Sequence, residues 1–268
     1  MPRIALALLG FLFAPLAHAA DPPIKPNILW LIAEDFGPHL GCFGTKEVST
    51  PNLDALAANG MRFTRFFTTA PVCSPSRSAF ITGMYQTTIG AHNHRSHRDD
   101  NFQLLPGVKI APQWMREAGY FTANIINFPA DVNVKGTGKT DWNFTAPTKP
   151  FDTANWTDLK SHQPFIAQVN FQETHRTFHA PKRADPAKVE IPPYYPDHPI
   201  VREDWAKYLD AATELDAKIG RILKRLEADG LADNTVIVFH GDHGQAHVRG
   251  KVPLSAARLR VEIGRAHV

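Results

Sequence analysis

The chain has 268 residues, 43% hydrophobic and 21% charged, which is enough apolar material for one buried core and excludes a disordered or fibrous chain. Its formal net charge of +3 comes from Arg3 and from three arginines after residue 251 offset by Glu262, so the body of the chain is neutral overall and lacks a nucleic-acid footprint. Only two cysteines are present, Cys42 and Cys73, and an oxidising compartment would allow them to pair.

Residues 1–20 combine a basic Arg3, an apolar run over 4–13 and Ala17-His18-Ala19, a small-x-small cleavage pattern. This predicts a secretory signal peptide, because the run is too short to span a bilayer and Asp21-Pro22-Pro23 would break a continuing helix. The mature chain is therefore expected in the periplasm or secreted, with no membrane span once the signal is removed. Asn27–Ala33 is a continuous apolar run, as in a strand buried on both faces, and it ends in Glu34-Asp35. Ligand sites of open α/β sheets gather outside that end of the strands, so the two acids are placed where a metal can bind. Cys42 lies in a turn between Gly41 and Gly44. Thr50-Pro51 predicts a helix start, a capping hydroxyl followed by proline at the first helical position, with Leu53, Leu56 and Ala57 on one face and Gly60 as the stop. Residues 61–69 then read as a strand leading to Cys73.

The rest of the chain is organised around Cys73-Ser74-Pro75-Ser76-Arg77. Pro75 suits a first helical turn, and residues 78–83 read as a short helix stopped by Thr82-Gly83. Cys73 is thereby placed at a helix amino end, where free N–H groups stabilise a thiolate or a bound oxyanion. His92, His94 and His97 lack the cysteine partners and spacing of a zinc site and read as a loop near the substrate. Residues 110–118 form an amphipathic helix feeding a strand over 120–126, and residues 131–150 form a loop. The apolar strand Phe165–Phe171 is followed by Glu173-Thr174-His175, in which His175 is a candidate acid, histidine being the side chain generally suited to proton transfer near neutrality. Residues 180–199 are a proline-rich loop whose Tyr194 and Tyr195 are expected over the site. The stripe from Trp205 to Leu226 predicts the longest helix, ending at Gly230, and a strand over 235–240 then presents Gly241-Asp242-His243-Gly244 at the same rim as Glu34 and Asp35. Arg249-Gly250-Lys251 follows.

The Cys-x-Pro-x-Arg pattern, continued by Ser78-Ala79-Phe80-Ile81-Thr82-Gly83, resembles the signature of type I, formylglycine-dependent sulfatases of the alkaline-phosphatase-like superfamily. Further resemblances occur in the family's order: the opening strand with adjacent acids, here Glu34-Asp35 rather than the usual pair beginning with Asp; Gly138-Lys139-Thr140-Asp141, without the histidine that often follows the lysine; Thr174-His175; Asp242-His243; and Arg249-Gly250-Lys251. The resemblance implies an α/β fold, a mostly parallel mixed sheet sandwiched between helices. It also implies that Cys73 is oxidised to formylglycine by a formylglycine-generating or anaerobic sulfatase-maturating enzyme, leaving Cys42 alone. By the same resemblance Glu34, Asp35, Asp242 and His243, with modified Cys73, hold Ca2+. Arg77 stabilises the formylglycine hydrate, Lys139 and Lys251 contact the sulfate, with Lys135 competing for the first role, and His175 protonates the leaving group.

The implied substrate is a sulfated carbohydrate or aryl sulfate, and the flavour is closest to the sulfamidase-like branch (N-sulfoglucosamine sulfohydrolase-like). Three alternatives remain: a phosphonate or phosphate monoesterase of the same fold, a non-catalytic binder of sulfated glycans, and a plain cysteine hydrolase, which would need a base beside Cys73. The resemblance runs over about residues 26–251. It suggests an incomplete amino-terminal catalytic domain over 21–251, an unrelated tail over 252–268, and a truncated chain without the family's usual carboxyl-terminal subdomain.

Overall fold

The computed structural model describes residues 25–248, 250 and 251, and the backbone of 264–265; the proposed signal peptide, Arg249 and most of the tail lie outside the described residues. Six strands form one sheet: β1 (Asn27–Ala33), β2 (Phe121–Asn127), β3 (Thr153–Asn155), β4 (Phe165–Phe171), β5 (Thr235–Gly241) and β6 (Gly264–Arg265), in the order β3-β2-β4-β1-β5-β6. All neighbours are parallel except β5 and β6, so the sheet is mixed and mostly parallel, as expected. Four α-helices accompany it: α1 (Pro51–Ala58), α2 (Cys73–Thr82), α3 (Ala111–Glu117) and α4 (Pro199–Ala228).

The register explains why two faces differ. Ala123, Ala167, Leu29 and Ile237 stand in one row across β2, β4, β1 and β5, and Ile125, Val169, Leu31 and Phe239 stand in the next. These rows are buried against Leu209, Ala212, Leu215, Ile219 and Ile222 of α4, which bury the stripe seen in the sequence. The opposite face carries Trp30 with Gln168, and Ile32 with Asn170 and His240. There α2 and α3 help cover a smaller core through Ile81 and Ile110. Gln168, Asn170 and His240 thus lie on the face that meets α2, whereas Asn27 and Thr235, paired at the starts of β1 and β5, are buried polar residues at the other end of the sheet.

The cap of α1 differs from expectation. Thr50 does not cap it; its hydroxyl instead takes the Gly41 N–H at 2.9 Å and donates to Asp54 at 3.1 Å. Asp216 of α4 supplies the missing acceptor, taking the Leu53 N–H at 2.8 Å and the Asn52 side-chain amide at 2.7 Å. Residues 61–69 are not a strand. They run as an irregular segment with Phe66 and Phe67 about half exposed, lining an apolar groove of about 490 Å³ with Trp30, Phe80, Met84 and His240. Met61 and Phe67 make isolated bridges rather than a ladder, so the apolar run stays irregular. The helix over 78–83 extends back to Cys73, with Pro75 in its first turn as expected, and α4 begins at Pro199, with His198 accepting the Ile200 N–H. Neither β3 nor β6 was anticipated, and β6 lies in the tail set apart by sequence.

After β2 the chain folds back on itself, and two glycines permit this. A Cβ on Gly136 would sit 2.1 Å from the Ile125 carbonyl oxygen, and Gly138 has φ +66° while lying against Ile126. The return brings Lys139 to the carboxyl end of the sheet. Among the described residues, no helix is long and apolar enough to cross a membrane. Gly136→Ala should push this loop off the strand, because the obstacle is backbone rather than a flexible side chain; a melting temperature several degrees below that of the unmodified chain is the expected result.

Candidate active site

Register builds the site. Ala33 is level with Phe171 on one side and Gly241 on the other, so the residues that follow β1, β4 and β5 emerge side by side. These are Glu34 and Asp35, then Thr174 and His175, then Asp242 and His243. Asp35 leaves its strand with φ 53°, a left-handed conformation that turns its side chain sharply, and its N–H donates to Asp242 Oδ1 at 2.9 Å. The Thr174 hydroxyl donates to the Glu34 carbonyl at 2.6 Å and holds the ends of β1 and β4 together.

Cys73, the first residue of α2, faces this rim and is 1% exposed. Its Sγ lies 3.2 Å from His243 Nε2, 3.7 Å from Glu34 Oε1 and 4.0 Å from Asp35 Oδ1. Glu34, Cys73 and Asp242 form one group able to hold a metal ion; Asp35, Cys73 and His243 form another; Glu34, Asp35 and His175 form a third. Together these groups offer three carboxylates, two imidazoles and the Cys73 sulfur, and the carboxylates suit a hard divalent cation. The residues present therefore fit the metal that the sequence suggests.

Cations surround the acids. Arg77, also 1% exposed, donates Nε to Asp242 Oδ2 at 2.9 Å and Nη1 to Asn170 Oδ1 at 2.8 Å and the Lys139 carbonyl at 3.1 Å. Its Nη2 is buried without a hydrogen-bond partner among the described residues. Lys139 pairs with Glu34, and Lys251 Nζ donates to both Asp35 oxygens at 2.8 and 3.0 Å. His175 Nε2 lies 3.6 Å from Glu34 and 3.8 Å from Asp35, while its Nδ1 donates to the Arg176 carbonyl at 2.6 Å.

Electrostatics follow from this packing. Burial disfavours ionisation of Asp242, but the charges of His243 and Arg77 prevail and hold its carboxyl far below the usual range. Burial also disfavours a charged His243, yet Asp242, Asp35 and Cys73 raise its pKa to about 10. On Lys251 burial is outweighed chiefly by Asp35, and its pKa rises.

All nine residues singled out by sequence, Glu34, Asp35, Cys73, Arg77, Lys139, His175, Asp242, His243 and Lys251, thus meet in one cluster. Lys135 is exposed and bridges Asn127 through its backbone, so Lys139 alone of the two competing lysines reaches the acids. His92, His94 and His97 do not converge: His94 meets Ser74 Oγ at 3.2 Å, whereas His97 stacks on Phe102 and pairs with Asp100. Tyr194 and Tyr195 pack against the segment after His243 instead of lying over the cluster; Tyr195 donates to the Val248 carbonyl at 2.6 Å. Beside His175 opens a polar cavity of about 520 Å³ lined by Glu173, Arg176, His179, Glu214 and Lys218, roomy enough for a sugar ring.

Sequence reading missed Asn170 and Asn124. Asn170 Nδ2 donates to Asn124 Oδ1 at 3.2 Å, and Asn124 Nδ2 donates to the Gly138 carbonyl at 2.8 Å, so the pair joins Arg77 to the loop bearing Lys139. Their signal was present, a single asparagine inside each of two apolar strands. Asn170→Leu, close in size, should leave a guanidinium proton unpaired in the interior, costing about 1–3 kcal/mol in a denaturant titration.

The sulfatase family profile matches residues 26–260, and so extends past Lys251 into the tail. An ulvan-active sulfatase of Formosa agariphila is 33% identical over 83% of this chain and 44% of its own length. The human N-sulphoglucosamine sulphohydrolase is 25% identical over 85% of this chain and 52% of its own length. The chain thus spans about half the length of these curated relatives. A phosphonate monoester hydrolase from Silicibacter pomeroyi shares the fold, with a TM-score of 0.66 and 20% identity over 91% of this chain and 68% of that one.

Proposed function

The chain belongs to the sulfatase family, and from that premise we propose that its site hydrolyses sulfate esters or sulfamates of sulfated sugars, using a formylglycine made from Cys73 and a calcium ion. The observation that carries the reading is the meeting of Cys73, at the head of α2, with three buried carboxylates inside a ring of cations. The names of the relatives, an ulvan-active sulfatase and an N-sulphoglucosamine sulphohydrolase, favour a sulfated sugar. Export of the chain and conversion of Cys73 by a maturation enzyme belong to the same reading.

Formylglycine at position 73 supplies, as its hydrate, one hydroxyl to attack sulfur and a second whose proton is lost when sulfate is released. Glu34, Asp35 and Asp242, with His243 once the ion displaces its proton, would hold calcium, which would supply positive charge to the sulfate when bound. Lys139 and Lys251 neutralise the charge on those oxygens from either side of the acids. Arg77 is fixed by Asp242 and Asn170, and its unpaired Nη2 is the donor left for the reacting group. His175 protonates the departing oxygen or nitrogen: the Arg176 carbonyl accepts a hydrogen bond from Nδ1–H and orients the ring, so that Nε2–H of the imidazolium faces the acids as the donor of the transferred proton.

Produced together with a maturation enzyme, the chain should release sulfate from an aryl sulfate and a sulfated sugar. Chelation should stop the reaction and calcium restore it. Cys73→Ala should abolish turnover, and His175→Ala should lower kcat by roughly a hundredfold to ten-thousandfold. Faster release of phosphate than of sulfate would transfer the site to phosphate or phosphonate esters, and binding of sulfated glycan without turnover would reduce it to recognition.

A further inference from the structure

Beside the acid cluster, residues 92–98 form a loop whose cations the reaction above does not use. Ser74 Oγ, one residue from Cys73, accepts the Arg95 N–H at 2.8 Å. Asn143 takes the His97 N–H at 3.0 Å and donates to the Asn93 carbonyl at 2.6 Å, while its own N–H reaches Ser78 Oγ at 2.8 Å. The loop is therefore gripped by α2 on one side and by the segment after Lys139 on the other.

Arg95 and Asp141 both have left-handed backbone, with φ 57° and 48°, a conformation that persists in residues with a Cβ where the surroundings over-determine it. Each holds the other in place, since Arg95 Nε and Nη2 grip the Asp141 carboxylate at 3.0 and 2.9 Å. Asp141 also accepts Arg98 Nη2 at 3.3 Å and lies 3.6 Å from Lys139 Nζ. Burial opposes ionisation of Asp141, but Arg95 and Lys139 outweigh it and keep the carboxyl charged well into acid. Three cations thus share one carboxylate with a side chain only 7% exposed, and the surplus charge lies next to the cluster because Lys139 pairs with Glu34. Among the described residues no hydrogen bond takes Arg95 Nη1, and the Arg95 side chain is 35% exposed.

We propose that Arg95, aimed by Asp141 and supported by Arg98, is a second anion-binding position that reads a carboxylate or further sulfate on the sugar next to the one carrying the scissile group. The preferred substrate is then a polyanionic glycan rather than a singly sulfated sugar. The inference rests on the sulfatase reading for its substrate, and on its own geometry for the rest. A guanidinium already fixed on one edge presents its remaining donors without losing further side-chain freedom, and its planar donors match an oxyanion. Asp141 touches no substrate in this scheme and acts as a positioning residue.

The test compares the unmodified chain with Arg95→Gln on three substrates bearing the same scissile sulfate: a monosaccharide, a disaccharide extended by a uronate, and a disaccharide extended by a second sulfated sugar. The expected result is that one extended substrate loses about tenfold through KM in Arg95→Gln, the monosaccharide losing less, with Arg95→Lys recovering part of the loss. Which disaccharide suffers tells carboxylate from sulfate. Equal changes on all three substrates would overturn the proposal. Binding of the uronate disaccharide and of the doubly sulfated one to the Cys73→Ala chain, measured by calorimetry, separates the two readings. An unmodified chain without sulfatase turnover contradicts the preceding section alone, whereas affinities unaltered by Arg95→Gln in that background contradict the anion-binding position alone. Should Arg95→Gln fail to fold, Asp141→Asn serves the same comparison, because it frees Arg95 while retaining its charge.

Discussion

Glu34, Asp35 and Asp242 are carboxylates buried beside one another, and much of the structure around them supplies opposite charge and hydrogen bonds to them. Buried charges of one sign are tolerated only with compensating charge and hydrogen bonds close by. Arg77 meets Asp242, Lys139 meets Glu34, and Lys251 and His243 meet Asp35. Arg77 is buried too, so its own donors need acceptors, and Asn170 and the Lys139 carbonyl provide two of them. Each partner imposes a further one, until the network reaches Asn124 and Gly138.

The parallel sheet makes this network possible at little cost in chain length. Three strand ends in register deliver acids and imidazoles to one rim, while α2 arrives with Cys73 first and Arg77 one turn later on the same side. The remaining pieces, Lys139 and Lys251, come from loops, and loops need separate devices to hold them. For Lys139 these are Gly136, Gly138 and the asparagine pair; for Lys251 the device is its own ion pair with Asp35, together with the Lys251 N–H on the His247 carbonyl at 3.2 Å. A cluster built this way is preorganised for an anionic group, the condition under which fixed charges act most strongly on a reaction.

The parts legible in the sequence were those written in periodicity and strand ends. Apolar runs marked β1, β4 and β5, and the acids and histidines immediately after them converge. The α4 stripe was equally plain, because one face of a long helix must be apolar throughout. What escaped depends on partners far away in the chain. Asp216 caps α1 from 163 residues beyond Leu53, a relation no local capping rule can reveal. Residues 61–69 have the composition of a strand yet pair only at isolated positions, Met61 and Phe67. Asn170 acquires its role only through the distant Arg77, Asn124 only through Asn170, and Asp141 only through Arg95.

The most direct test of the central claim is the mass of the peptide containing Cys73, from a chain produced together with a formylglycine-generating enzyme. The account predicts loss of the thiol sulfur and gain of an aldehyde at position 73, in the same preparation that releases sulfate. A peptide that retains an intact cysteine while the preparation hydrolyses sulfate esters at full rate would contradict it.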